Sequence, residues 1–198
     1  MFQIRLHGRG GQGVVTAAEL LSVAAFIEGR HAQAFPSFGS ERTGAPVVAF
    51  CRIADRAIRL REPVMEPDAV IIQDPTLLQQ VDVFQGLTRD GFILINTTRS
   101  FDQLGLGEFA KGFRHERLVT LPATELAMKY LGRPLPNAVL LGGFAAISGT
   151  IGLDSVLAAI RQKFSGQVAN GNCEAASEAY RFVLEEKRAA GQEAASHA

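Results

Sequence analysis

Along the first residues, Phe2, Ile4 and Leu6 alternate with Gln3, Arg5 and His7. A period of two is that of a strand with one buried face, and it ends at the glycine cluster Gly8 to Gly13. From Val14 to Phe26 the apolar positions Val14, Val15, Ala18, Leu21 and Ala25 recur at helical spacing, and Gly29 stands where a helix would stop. His31 to Pro46 is rich in Gly, Ser and Pro without a sustained period, which predicts a loop. The run Val47 to Ile53 then predicts a buried strand. Ala69 to Ile72 and Phe92 to Ile95 read as two more core strands, with Thr76 to Leu87 as a connecting helix. Leu118 to Leu121 reads as a further strand, and Ala123 to Leu131 as a helix closed by Gly132 with Pro134 close behind.

After Pro136 only helical patterns remain: Ala138 to Ser148, Ser155 to Phe164 with Asp154 as its cap, and Glu174 to Arg188. The pattern predicts an α/β, Rossmann-like fold: an open, mostly parallel sheet with helices on both faces and a helical C-terminal third. No repeat or composition break divides the chain, so residues 1–188 are expected to form one domain, followed by a frayed tail over 189–198.

Composition narrows the function classes. Of 198 residues, 47% are hydrophobic and 20% charged, with 20 Lys plus Arg against 20 Asp plus Glu. Such a balance sets up no global field toward nucleic acid or an anionic membrane, so any anion site must be local. A local basic cluster at Arg52, Arg56, Arg59 and Arg61 reads as a solvated edge strand, or as a surface for a partner subunit. Cys51 and Cys173 are the only cysteines and are far apart, which suits a reducing, cytoplasmic setting and supplies neither a disulfide framework nor a metal motif. Cys51 lies in an apolar run and reads as core. The first residues lack the apolar stretch of a signal peptide, and no run is long enough to span a membrane.

Gly8-Arg9-Gly10-Gly11-Gln12-Gly13 matches G-x-G-x-x-G between a predicted strand and a predicted helix. Glycines let the backbone turn and approach a phosphate, while the N–H groups and dipole of the helix start favour negative charge. Arg9 adds a candidate cation. A tight turn with no ligand is the plainer reading, but a turn needs one or two glycines and this loop has four. A dinucleotide would want an acidic residue about 20 positions after the motif. Glu28 comes too early, and Arg30-His31-Ala32-Gln33 follows, so a different phosphate-bearing ligand is favoured. The second unusual stretch, Phe35 to Pro46, brings hydroxyls, Glu41-Arg42 and two phenylalanines, Phe35 and Phe38. It suits a binding loop that meets a phosphate and packs on a flat ring, or else an ordinary surface loop with a local ion pair.

Three stretches together resemble the gamma subunit, or equivalent domain, of the 2-oxoacid:acceptor oxidoreductases, the pyruvate:ferredoxin oxidoreductase family. They are Arg9-Gly10-Gly11-Gln12-Gly13-Val14 with Ala17 and Ala18, Ser37-Phe38-Gly39-Ser40-Glu41-Arg42-Thr43-Gly44, and Pro136-Asn137 ahead of Leu141-Gly142. The resemblance covers nearly the whole chain. It implies oxidative decarboxylation of a 2-oxoacid, such as pyruvate, 2-oxoglutarate or phenylglyoxylate, to acyl-coenzyme A and CO2. Thiamine diphosphate, Mg2+ and four-iron four-sulfur clusters would lie on partner subunits of thiamine-binding, pyrimidine-domain and ferredoxin-like type. The electron acceptor would be ferredoxin, or a flavin subunit that reduces NAD.

By position, Arg9, Gly10, Gly11, Gln12 and Gly13 would meet the nucleotide end of coenzyme A. Ser37, Ser40, Glu41, Arg42 and Thr43 would form the adjoining wall. No thiamine-type G-D-G, no C-x-x-C pair and no His or Cys beside a base occurs, so no catalytic or metal-binding residue is expected on this chain. His7, His31, His115 and His197 fit no metal-site spacing. The rival readings are a free-standing NAD-binding domain and a scaffold subunit whose helical third, Ala138 to Arg188, packs on neighbours.

Overall fold

The computed structural model describes residues 1–37 and 43–196. Its centre is one six-stranded sheet in the order β2-β3-β1-β4-β5-β6. The strands are β1 (Phe2–Arg9), β2 (His31–Pro36), β3 (Pro46–Ala54), β4 (Ala69–Ile72), β5 (Phe92–Asn96) and β6 (Leu118–Leu121). From β1 through β4 and β5 to β6 the strands run parallel. β3 pairs antiparallel with both β1 and β2, so the sheet is mixed, with three of its five pairings parallel. The chain leaves β1 toward one side and returns on the other, so the direction reverses between β1 and β4. Open α/β sheets bind ligands beyond the strand ends at such a point.

The loop expected over His31 to Pro46 therefore begins as a strand. β2 forms because Ala32, Ala34 and Pro36 register against Ile53, Cys51 and Ala49 of β3, a pairing no local period announces. The helix expected over Thr76 to Leu87 is a short 3-10 turn, Pro75–Gln79, followed by tight turns. Its buried Leu77 and Val83 pack under the sheet with Val70, Ile72, Ile93 and Ile95. This second face is covered by that turn, by the four-residue α2 (Gly107–Ala110) and by connecting segments.

The long helices all lie on the first face: α1 (Val14–Ile27), α3 (Ala123–Leu131), α4 (Asn137–Ser148), α5 (Leu153–Lys163) and α6 (Gly166–Ser196). α5 starts one residue before Asp154, so Gly152 takes the cap position and its N–H donates to the Glu28 carboxylate at 2.7 Å. α6 starts at Gly166, eight residues before the expected Glu174. The C-terminal third is less exposed than its composition suggests, because eleven of the twelve α4 residues are buried. An all-round apolar helix is stable only when enclosed. α4 is covered by the sheet, α1 and α6, and Lys187 of α6 donates to its last-turn carbonyls on Ala146 and Ile147. At Gly142 the α4 and α6 backbones touch, and a Cβ there would collide with the carbonyl of Ala176.

Two polar positions of β1 do not face water. Arg5 and His7 are 7% and 5% exposed, beneath the segments around Val64 and Val83. Arg52, expected in solvent, is 2% exposed. Its guanidinium bonds Gln3 and the Glu62 carbonyl and stands over the Phe35 ring, while Arg56, Arg59 and Arg61 are exposed as expected. Burial raises the Cys51 thiol to about 12, so it is an inert core group.

Two outcomes follow from this packing. Gly142→Ala gains roughly 1 kcal/mol of helix propensity. Wedging two backbones costs more, about 3 kcal/mol at the upper end of overpacking. Thermal unfolding should therefore show a lower Tm. His7 is held near 3, first by burial and then by Arg5, whose Nε donates to its Nε2 at 3.1 Å. That value lies below the ordinary 6.5, so the unfolded chain takes up the proton first and stability falls as pH drops from about 6.5 toward 3. His7→Gln keeps an acceptor for Arg5 and cannot titrate. Denaturant unfolding at pH 7 and pH 4.5 should show it losing less stability than the wild type, and equal losses would remove His7 from the acid response.

Candidate functional site

β1 runs on to Arg9, and the glycine loop spans the gap to α1 at the sheet's point of reversal. Gly8 is buried where a Cβ would stand 2.6 Å from Val14 Cγ2 and 3.2 Å from Gln73 Cβ. Strand and helix can approach this closely only without a side chain. Gly11 and Gly13 have φ of 93° and 73°, the left-handed region that suits glycine. Gly13 caps α1 without any side-chain oxygen, so the first-turn amides of Val14, Val15 and Thr16 have no intrahelical acceptor.

The two loops singled out by sequence adjoin. Gly10 and Thr43 form a parallel bridge, the Gly44 N–H donates to the Gly10 carbonyl at 3.0 Å, and the Gly10 N–H donates to the Ala45 carbonyl at 2.9 Å. Ser37 is exposed, and its N–H donates to the Val48 carbonyl. Phe35 packs 5.1 Å from the Phe50 ring, beneath the Arg52 guanidinium. Phe38, Ser40, Glu41 and Arg42 lie outside the described residues.

Arg9 does not stand free as a cation. Its Nε meets Asp74 Oδ2 at 3.1 Å, and its terminal nitrogens donate to the Gly44 carbonyl, Thr76 Oγ1 and Gln80 Oε1. Gln12 closes the same knot, its Oε1 accepting from the Arg9 N–H and its Nε2 donating to Asp74. Burial alone would raise the Asp74 carboxyl. Hydrogen bonds from Thr76 and Gln12, with the Arg9 charge, outweigh burial and hold it below the ordinary carboxylate value. Arg9 and Gln12 thus brace the loop, and its open face is made of backbone. Asp74 precedes Pro75 and caps the 3-10 turn by accepting from the Thr76 N–H, a start signal visible in the sequence.

Two hollows flank the loop. One of about 310 Å3 touches Gly10, Gly11, Val14 and Val47. The other, about 440 Å3, is lined by Gly11, Gly13 and Thr16 together with Arg133, Asn137 and Gln167. Asn137 of the Pro136-Asn137 motif lies so close that a Cβ on Gly13 would be 2.5 Å from its Nδ2. Arg133, in the short connection between α3 and α4, had no signal in the sequence beyond its nearness to that motif. Among the described residues no group of three or more His, Cys, Asp or Glu stands together as metal ligands would, and no helix is long and apolar enough to cross a membrane.

Residues 3–182 match the family model described as pyruvate ferredoxin/flavodoxin oxidoreductase. A pyruvate synthase subunit PorC from Methanothermobacter marburgensis is 47% identical over 91% of this chain and 96% of its own. The crystal structure of the pyruvate oxidoreductase subunit PORC from Thermotoga maritima superposes with a TM-score of 0.76 at 34% identity, covering 91% of this chain and 95% of that one. A 2-oxoglutarate:ferredoxin oxidoreductase from Magnetococcus marinus, solved with 2-oxoglutarate, coenzyme A and succinyl-CoA bound, shares the fold with a TM-score of 0.73 at 17% identity. It matches 93% of this chain and 31% of that longer one. The chain belongs to the pyruvate ferredoxin/flavodoxin oxidoreductase family, among its gamma-type (PorC) subunits.

Proposed function

We propose that this chain serves a cytoplasmic, multi-subunit 2-oxoacid oxidoreductase by holding part of coenzyme A and joining the complex, with the chemistry completed on partner chains. The complex converts a 2-oxoacid and coenzyme A to acyl-coenzyme A and CO2, and the electrons released pass to ferredoxin or another acceptor. The observation that carries the reading is the glycine loop at the start of α1, where Gly11 is exposed and Gly13 caps the helix without a side chain, beside the bridge to Thr43. Uncommitted amide groups at a helix start suit a phosphate ester. We assign Ser37, Ser40, Glu41, Arg42 and Thr43 to the same coenzyme A contact.

A dinucleotide suits the site less well. In the dinucleotide fold a parallel strand beside β1 brings an acidic residue to the ribose. Here the neighbour on that side is β3, which runs antiparallel and presents its first residues, Pro46 and Val47, at the glycine loop. Iron–sulfur clusters of four-cysteine type need more thiolates than the two cysteines of this chain, both of which are buried, so they belong to partner subunits with Mg2+ and thiamine diphosphate. Thiamine diphosphate, when bound there, supplies the carbanion stabilisation that decarboxylation requires. The described residues of this chain bind and orient.

In the assembled complex, a valine at Gly11 would face both strain at φ 93° and a side chain in the anion path. Gly11→Val should raise the KM for coenzyme A strongly while 2-oxoacid decarboxylation stays near wild type. Arg42→Ala should do so less severely, by about tenfold for one lost charge-assisted hydrogen bond. Steady-state kinetics with varied coenzyme A checks both. Two variants with an unchanged KM for coenzyme A would show the loops to be assigned wrongly.

A further inference from the structure

β2 is one edge of the sheet, and its outer side is bare. The Ser37 N–H donates to the Val48 carbonyl, so in this antiparallel pair His31, Gln33, Phe35 and Ser37 turn their backbone groups toward β3. The alternate residues Ala32 and Ala34 then direct both N–H and C=O outward, where no other described segment bonds them. Edges of this kind are usually blunted by charge, a bulge, an internal proline or a covering segment. From His31 to Phe35 there is no Lys, Arg, Asp or Glu, the register with β3 is unbroken, and proline comes only at the last position, Pro36. The opposite edge differs. β6 has only four residues, and the hollow beside it is lined by Asp102, Glu116, Glu186 and Lys187.

A hollow of about 600 Å3 adjoins the bare edge, between α1, α5 and β2. Val23 of α1, Ala32 and Ala34 of β2, and Ala159 of α5 give it apolar walls. Its charged lining residues, Glu19 and Lys163, pair with each other at 3.0 Å, so neither sign of charge is left over for an ionic occupant. Backbone bonding capacity and an apolar seat thus lie side by side.

A second copy of this chain suits the edge poorly. Antiparallel self-pairing centred on Gln33 would set Ala32 of one copy against Ala34 of the other, and only methyl groups would reach the hollow. The six residues of β2 offer a strip about 20 Å long and roughly 5 Å wide. That is far below the roughly 800 Å2 per partner of a stable interface. The edge instead suits a strand from a chain already held by other contacts, because a tethered strand pays little further cost to dock.

We infer that β2 accepts a seventh strand, an extended and uncharged segment of another subunit of the oxidoreductase complex with bulky apolar side chains at alternate positions. Its backbone pairs with Ala32 and Ala34, and every second side chain enters the hollow against α1 and α5. The inference draws on the chain's place among the subunits of a complex and stands apart from the coenzyme A reading.

Hydrogen–deuterium exchange read by mass spectrometry tests it, on the complex purified through a tag on this chain and on the chain alone. The Ala32 and Ala34 amides should exchange at least about tenfold more slowly in the complex, the effect of one added hydrogen bond each. One segment of a partner subunit should slow with them. Equal exchange in the two samples, or a slow edge with no matching partner segment, overturns the inference. An edge that slows in the chain alone as its concentration rises also overturns it, in favour of self-pairing. Two variants complete the test in the complex. Ala34→Pro removes an outward N–H at an edge, where proline is tolerated, and Gln162→Trp fills the hollow from an exposed position of α5. Each should return Ala32 and the partner segment to fast exchange while leaving β1 slow. Should Ala34→Pro not fold, Gln162→Trp decides alone, and an edge still slow in that variant overturns the seventh strand.

Discussion

α4 is enclosed on every side, and the position of the other helices follows from the contacts that enclose it. An apolar helix of this kind must bury its whole surface, and at Gly142 it does so by direct approach to the α6 backbone. The same closeness recurs at its first turn, where Asn137 rests against Gly13. Glycine is needed at both contacts because the space for a Cβ is already taken. The starts of α1 and α4 are thereby locked together, and α6, packed along α4, brings its own start to the same corner.

In a chain of zero net charge, any field at that corner comes from local groups. Helix starts contribute partial positive charge without a mobile side chain, and their strength grows where water is partly excluded. The Arg9–Asp74 pair does the opposite work. It cancels a charge, ties the glycine loop to the 3-10 turn after β4, and leaves the loop's backbone as the surface a ligand would meet. The cation of the motif is therefore a bracing group held by Asp74, which the motif alone does not reveal.

Where the hydrophobic pattern is local, the sequence was a sufficient guide. β1, the glycine loop, α1, β4, β5, β6 and α3 lie within a residue or two of their expected bounds, because each buries a face set by neighbours close in the chain. Two glycine- and serine-rich motifs were enough to suggest the family that residues 3–182 match. β2 was hidden because its partner is β3, and alternating Ala32 and Ala34 acquire an apolar face only on pairing. Charge is usually exposed, yet Arg52 is buried with Gln3 and the Glu62 carbonyl as acceptors and its guanidinium over the Phe35 ring. The early start of α6 was missed because Gly166 to Cys173 carries few apolar residues, and packing against α4 and α3 sustains it.

The sequence by itself determined that a strand would feed a glycine loop into a helix, since backbone freedom and helix polarity are properties of adjacent residues. Only the tertiary structure decided what the side chains of that loop hold and which distant residues stand beside it. The engagement of Arg9 with Asp74, and the meeting of Gly13, Asn137 and Gln167 at one cavity, join residues from distant parts of the chain. Contacts of that range depend on how α4 is enclosed, and no spacing within a single segment encodes them.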